Sequence, residues 1–177
     1  MMTLTARESW AVIHGMMLGA LFLLAFAGGL AELINLGSEW TTEAGIVKRV
    51  RRLIAGTWIM AIVAWLTVIT GTYIVYPWYR AKPPEGADLT MFPRSFLLSK
   101  PDTAGWHNFG MEWKEHVAWF APILATAVAY MVTRYGTKLA KDEQVRHAII
   151  VLFTIAFLTA AVAGIFGAFI NKAAPIH

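Results

Sequence analysis

The sequence predicts an all-α integral membrane protein: a four-transmembrane-helix bundle with a long loop between its second and third helices. Three observations carry that expectation. Of 177 residues, 58% are hydrophobic and only 15% charged, against about 45–50% and about 25% in an ordinary soluble domain. Four apolar segments each reach the roughly 20 residues needed to cross a bilayer as a helix. None alternates with the period of two that a membrane barrel strand requires. The same composition excludes disorder, and the length suits one membrane domain, 1–177.

The first span is expected over 10–36, interrupted only by His14, Glu32 and Asn35. Arg7, an apolar run and Ala25-Phe26-Ala27 imitate a secretory signal, but the run exceeds the ~7–15 residues of a signal core, so it reads as a retained span. The second covers 53–79 with no charge. The third covers 113–132, is charged only in its first turn, and carries Pro122, which is expected to loosen the backbone ladder below that turn. The fourth covers 147–170. Its Ala156, Ala160, Gly164 and Ala168 recur every four residues, with Ala163 and Gly167 in a second row, a pattern of close helix packing. The loop, about 80–112, holds Pro83, Pro84, Pro93, Pro101, Gly86 and Gly105, so no long regular helix is expected there. Its Phe92, Phe96, Leu97, Leu98, Trp106 and Phe109 favour packing on the membrane face or on a partner.

The net charge of +4 does not point to nucleic acid, because the basic residues sit at the ends of apolar runs and form no single basic face. It does orient the chain. With four spans both termini share one side, side A. The two short loops on side B concentrate Lys48, Arg49, Arg51, Arg52, Arg134, Lys138, Lys141 and Arg146. Short basic loops face the cytoplasm, so both termini are expected outside, as in a bacterial inner membrane. Trp10, Tyr76, Trp78, Tyr79, Trp106 and Trp113 gather at side A, and Trp40, Tyr130 and Tyr135 at side B, as aromatic belts do.

No cysteine is present, which excludes disulfides, thiolate metal sites and covalent haem attachment. The histidines are His14, His107, His116, His147 and His177. His14 and His116 each lie about one turn into spans that both start at side A, so they are expected at matching depth. That is the requirement for bis-histidine ligation of one haem b between helices. Gly15 and Gly19 beside His14 leave room for a macrocycle or a close helix, and Arg80, Lys82, Tyr76 and Trp78 would meet the haem propionates. His107 could replace either ligand or serve a quinone. Glu112, Glu115 and His107 are the candidates for proton handling at such a quinone site. His147 has no histidine at its depth, and Glu32 is expected to pair with His147, Arg51 or Arg52.

In its four spans and paired histidines the layout is similar to the small four-helix membrane cytochromes b and to the haem-bearing anchor subunits of respiratory quinone oxidoreductases. The likeness is one of fold alone. The expected function is a membrane electron-transfer subunit, binding one haem b near the outer face and relaying electrons between a quinone pool and a partner, such as a periplasmic redox protein on the 80–112 loop. Two alternatives remain open. One is a cofactor-free structural subunit working with other membrane subunits of a respiratory or photosynthetic complex. The other is a copper or zinc site built from side A histidines with Met16, Met17 and Met111. No P-loop, nucleophile elbow, zinc-protease or dinucleotide motif is present.

Overall fold

The computed structural model describes residues 4–37 and 42–175. Trp40 and His177 lie outside the described residues. Among the described residues there is no strand. Four helical runs among the described residues are long and apolar enough to cross a membrane: Ala6–Asn35, Glu43–Tyr79, Pro101–Ala140 and Glu143–Ala173. Three contain the expected spans 53–79, 113–132 and 147–170 and extend beyond them; the first starts earlier than the expected 10–36 and ends one residue before it.

The added turns have local causes. Thr5 caps the first helix: its Oγ1 accepts the Glu8 N–H at 3.2 Å, and Glu8 Oε2 accepts the Thr5 N–H at 2.7 Å, a reciprocal capping box. Asp142 caps the fourth helix by accepting the Val145 N–H at 3.1 Å. Gly136, at φ +53°, follows the α-helical part of the third run, where a left-handed residue ends a helix at least cost.

The 80–112 segment is less irregular than its prolines suggested. Ala87 N–H bonds to the Pro84 carbonyl at 3.2 Å across a turn whose third residue, Gly86, has φ +75°, the conformation that favours glycine there. Pro93 and Pro101 then open the helices Pro93–Leu98 and Pro101–Gly105. A proline is well tolerated at a helix start because the N–H it lacks would have no partner anyway. The helical run leading into the third span therefore begins at Pro101, not near 113. Pro122 has the expected effect. It has no N–H to return to the carbonyl four residues back, and the α-helix is interrupted between Glu112–His116 and Phe120–Tyr135.

The chain divides into two compact units. Unit 1 takes ranges 1–19, 66–119 and 160–177, and unit 2 takes 20–65 and 120–159. In unit 2, Phe26 stacks on Phe157 with centroids 4.0 Å apart and meets Phe153 at 5.1 Å. Gly29 lets the Phe153 ring approach so closely that a Cβ there would fall 2.8 Å from it. Trp58 Nε1 donates to Thr133 Oγ1 at 3.0 Å, and Trp65 Nε1 to Thr126 Oγ1 at 3.1 Å, tying the second run to the third. Glu32 binds Arg49 at 2.9 Å and Arg52 at 2.7 Å. Of its three expected partners only Arg52 takes the role, and Arg49 takes the other. His147 instead faces Glu143 at 3.8 Å, one turn before it.

In unit 1, Tyr79, Leu97, Met111, Ile170 and Ala174 form the buried core, flanked by Tyr76, Phe96, Trp106 and Phe166. Three π-turns interrupt the α-helices here: Ile13–Met17, Gly71–Val75 and Trp106–Met111. Each slips an extra residue into a turn and so changes which side chains face inward. Such turns concentrate at functional sites.

Candidate functional site

Two of these π-turns build the surroundings of His14. His14 lies in the first, and the second begins at Gly71. A Cβ on Gly71 would fall 2.7 Å from His14 Cε1, so the imidazole packs directly on a backbone left bare by glycine. Thr70, just before it, donates its hydroxyl proton to the Leu66 carbonyl at 2.7 Å. With that proton committed, Thr70 Oγ1 accepts from His14 Nδ1 at 3.2 Å. With Nδ1 donating to Thr70, His14 is the Nδ1–H tautomer, and its Nε2 lies 3.3 Å from where a Gly71 Cβ would stand.

His116 shows the same tautomer. Its Nδ1 lies 3.0 Å from the backbone carbonyl of Glu112, which can only accept, and 3.4 Å from the Glu112 carboxylate. Its Nε2 has no partner among the described residues. A metal-bound imidazole typically donates its second ring N–H to an oxygen in this way. By type, both imidazoles are groups that would hold a haem iron. Their settings differ. His14 is half-buried in unit 1, whereas the His116 side chain is 71% exposed. No hydrogen bond or ion pair joins the two.

His107 is built differently. Tyr79 Oη lies 2.8 Å from its Nδ1, and Arg94 Nε donates to its Nε2 at 3.4 Å. Arginine has no acceptor, so Nε2 must accept, and Nδ1 must carry the proton it gives to Tyr79. Both ring nitrogens are engaged, and the residue is only 8% exposed. Of the three side A histidines, His107 therefore has no open nitrogen for a metal. Tyr79 and Arg94, which set this state, were not among the expected site residues. The Tyr76–Tyr79 spacing of one helical turn was the available signal.

Tyr76, Arg80 and Glu115 do come together. Arg80 Nη1 donates to Tyr76 Oη at 2.8 Å, its guanidinium lies over the Tyr76 ring, and the Glu115 carboxylate faces the same hydroxyl. Glu112, half-exposed, sits with His116. Trp78 is half-buried at the end of the second run. Gly15 and Gly19 bring no other element close: a Cβ on either would meet open space. Among the described residues no three His, Asp or Glu side chains converge as a metal cluster would need.

Lys114 is partly exposed, and its ammonium donates to the Ala163 carbonyl at 3.2 Å.

Compared with protein-family models, curated proteins and solved structures, the chain matches none.

Proposed function

We propose that the chain is a membrane electron-transfer subunit that binds one haem b through His14 and His116 and relays electrons between a quinone pool and a partner redox protein. The observation that supports this reading is the His14 imidazole, held at Nδ1 by Thr70 and seated on the bare backbone of Gly71. A haem, when bound, supplies one-electron chemistry that no side chain here can.

The chain's own residues hold and orient. Thr70 and the Leu66 carbonyl fix one tautomer of His14, and the Glu112 carbonyl fixes the same tautomer of His116. Arg80, Tyr76 and Trp78 offer donors to ligand carboxylates. Glu115, facing the Tyr76 hydroxyl, and Glu112 take protons released from a quinol, while His107 supports them from behind through Tyr79. In the orientation set by the basic short loops, both termini and the 80–112 loop lie outside the cytoplasm, as in a bacterial inner membrane. That loop is then free to meet a periplasmic partner.

The test is the reduced-minus-oxidised visible spectrum of the purified protein, with His14→Ala and His116→Ala. A low-spin b-type spectrum lost in both variants is the expected result. Loss in His14→Ala alone refutes His116 as the second ligand, and a colourless wild type overturns the haem reading. A cofactor-free structural subunit is the second reading. It is favoured by Gly164 and Ala168, the part of the small-residue row that remains exposed on the fourth run, where another membrane subunit would pack closely.

A further inference from the structure

We infer that an aromatic-walled cavity on unit 1 binds a quaternary ammonium group, held there by the Asp102 carboxylate. The inference is independent of the haem reading. The cavity measures about 280 Å³ and is lined by Asp102, Gly105, Trp106, Phe109 and Phe166. Its walls are set by contacts outside it. Phe109 and Phe166 stand at 88° with centroids 5.5 Å apart, so they form two walls at a right angle. Phe166 is seated on Gly110, where a Cβ would fall 3.2 Å from its ring. Trp106 is backed by Phe169, stacked on it at 5.0 Å. Gly105 leaves its own stretch of the wall bare: a Cβ there would meet nothing within 4 Å.

Of the five lining residues only Asp102 is charged. No hydrogen bond or ion pair joins it to another of the described residues. Lys100, the nearest cation in sequence, lies over the Phe96 ring instead, at 4.6 Å. An acid beside aromatic rings attracts a cation, since the face of such a ring is its negative pole. The lining also selects which cation. A primary ammonium brings three N–H donors, and Asp102 is the one lining side chain that can accept. A quaternary ammonium has no N–H to satisfy, and its methyl groups can be buried by the rings. Size agrees: drug-sized ligands fill about 300–1,000 Å³, so this cavity suits a single headgroup. Two sources offer that group. One is a free choline-type cation. The other is the choline headgroup of a bilayer lipid, since the cavity lies where the third helical run begins and the fourth ends.

Choline is titrated into the full-length protein in maltoside micelles, alongside its uncharged analogue in which carbon replaces the nitrogen. Binding is read by saturation-transfer NMR of the methyl signals. In parallel, phosphatidylcholine and phosphatidylethanolamine, which differ only in the methyl groups on nitrogen, are added to the micelles and followed by thermal shift. Wild type should bind choline at least about twofold more tightly than the analogue, and Asp102→Asn should erase that preference. Phe109→Leu should weaken choline binding about two- to fivefold, the range for one exposed cation–π contact. Both residues are exposed, so both variants should fold. Equal binding of choline and its analogue by wild type overturns the proposal, as does a preference that survives in Asp102→Asn. Choline binding without a lipid preference assigns the site to a free cation. Should neither small molecule bind, the lipid arm decides. A stabilisation by phosphatidylcholine over phosphatidylethanolamine that Asp102→Asn abolishes sustains the site with a lipid headgroup, and no such difference overturns it.

Discussion

Gly71→Ala places a methyl group where the His14 ring now packs. The added Cβ would lie 2.7 Å from Cε1, whereas ordinary contact begins at 3.4 Å. The ring must retreat by about 0.7 Å to restore normal van der Waals contact. A retreat of that size along the Nδ1–Oγ1 bond, now 3.2 Å, stretches it to about 3.9 Å, past hydrogen-bonding range. Losing an interhelical hydrogen bond within a membrane costs about 0.6 kcal/mol on average, and overpacking adds about 1–3 kcal/mol. Alanine returns about 0.5–1 kcal/mol over glycine in a helix. The net expectation is a destabilisation of about 0.6–3 kcal/mol, measured by denaturant titration in mixed micelles. In a His14→Ala background the same methyl meets no ring, so Gly71→Ala should be neutral or stabilising there. An equal cost in both backgrounds would refute the close approach of His14 to Gly71 and, with it, the latch.

Three further outcomes are expected. Tyr79→Phe strands the His107 Nδ1–H at a buried position and should cost about 1–3 kcal/mol, checked in the same titration; no cost would mean that His107 does not donate to Tyr79. Glu32→Gln discharges an acid shared by two arginines whose side chains are 32% and 52% exposed, so its cost should stay within about 0.5–1 kcal/mol and shrink as salt is raised. Asp88 accepts the Thr90 backbone N–H at 3.0 Å, and that bond holds its carboxyl below the usual aspartate range. A depressed folded pKa means that the contribution is present above the ordinary aspartate value and is lost as pH falls through the folded one. The Thr90 amide should therefore be better protected from hydrogen exchange in wild type than in Asp88→Ala at neutral pH, and the difference should vanish in acid.

The Glu32 cluster shows how far sequence reasoning reaches into this site. A lone acid near a span end beside a basic loop had to find a cation, and that much was legible. Which cation was not, because Arg49 and Arg52 are one helical turn apart and share a face that Arg51 does not. The Pro122 interruption was legible because it is a local covalent effect. The helices opened by Pro93 and Pro101 were not, since a proline marks a loop and a helix start alike.

By itself the sequence determined the number of spans and their approximate positions, because the cost of placing charge in hydrocarbon is written in composition and run length. Only the tertiary structure decided which faces meet. Lipid tails are as apolar as leucine, so no hydrophobic contrast separates a buried face from a lipid-facing one. Phe22 and Phe26 are buried while Leu21 and Leu24, between and beside them, are exposed. Rotation about each helix axis is set by packing detail, and here also by π-turns at Ile13–Met17 and Trp106–Met111 that break the 3.6-residue period on which a sequence argument depends. That is why His14 turns onto Gly71, His107 closes on Tyr79, and Lys114 faces inward while His116, two residues on, faces out.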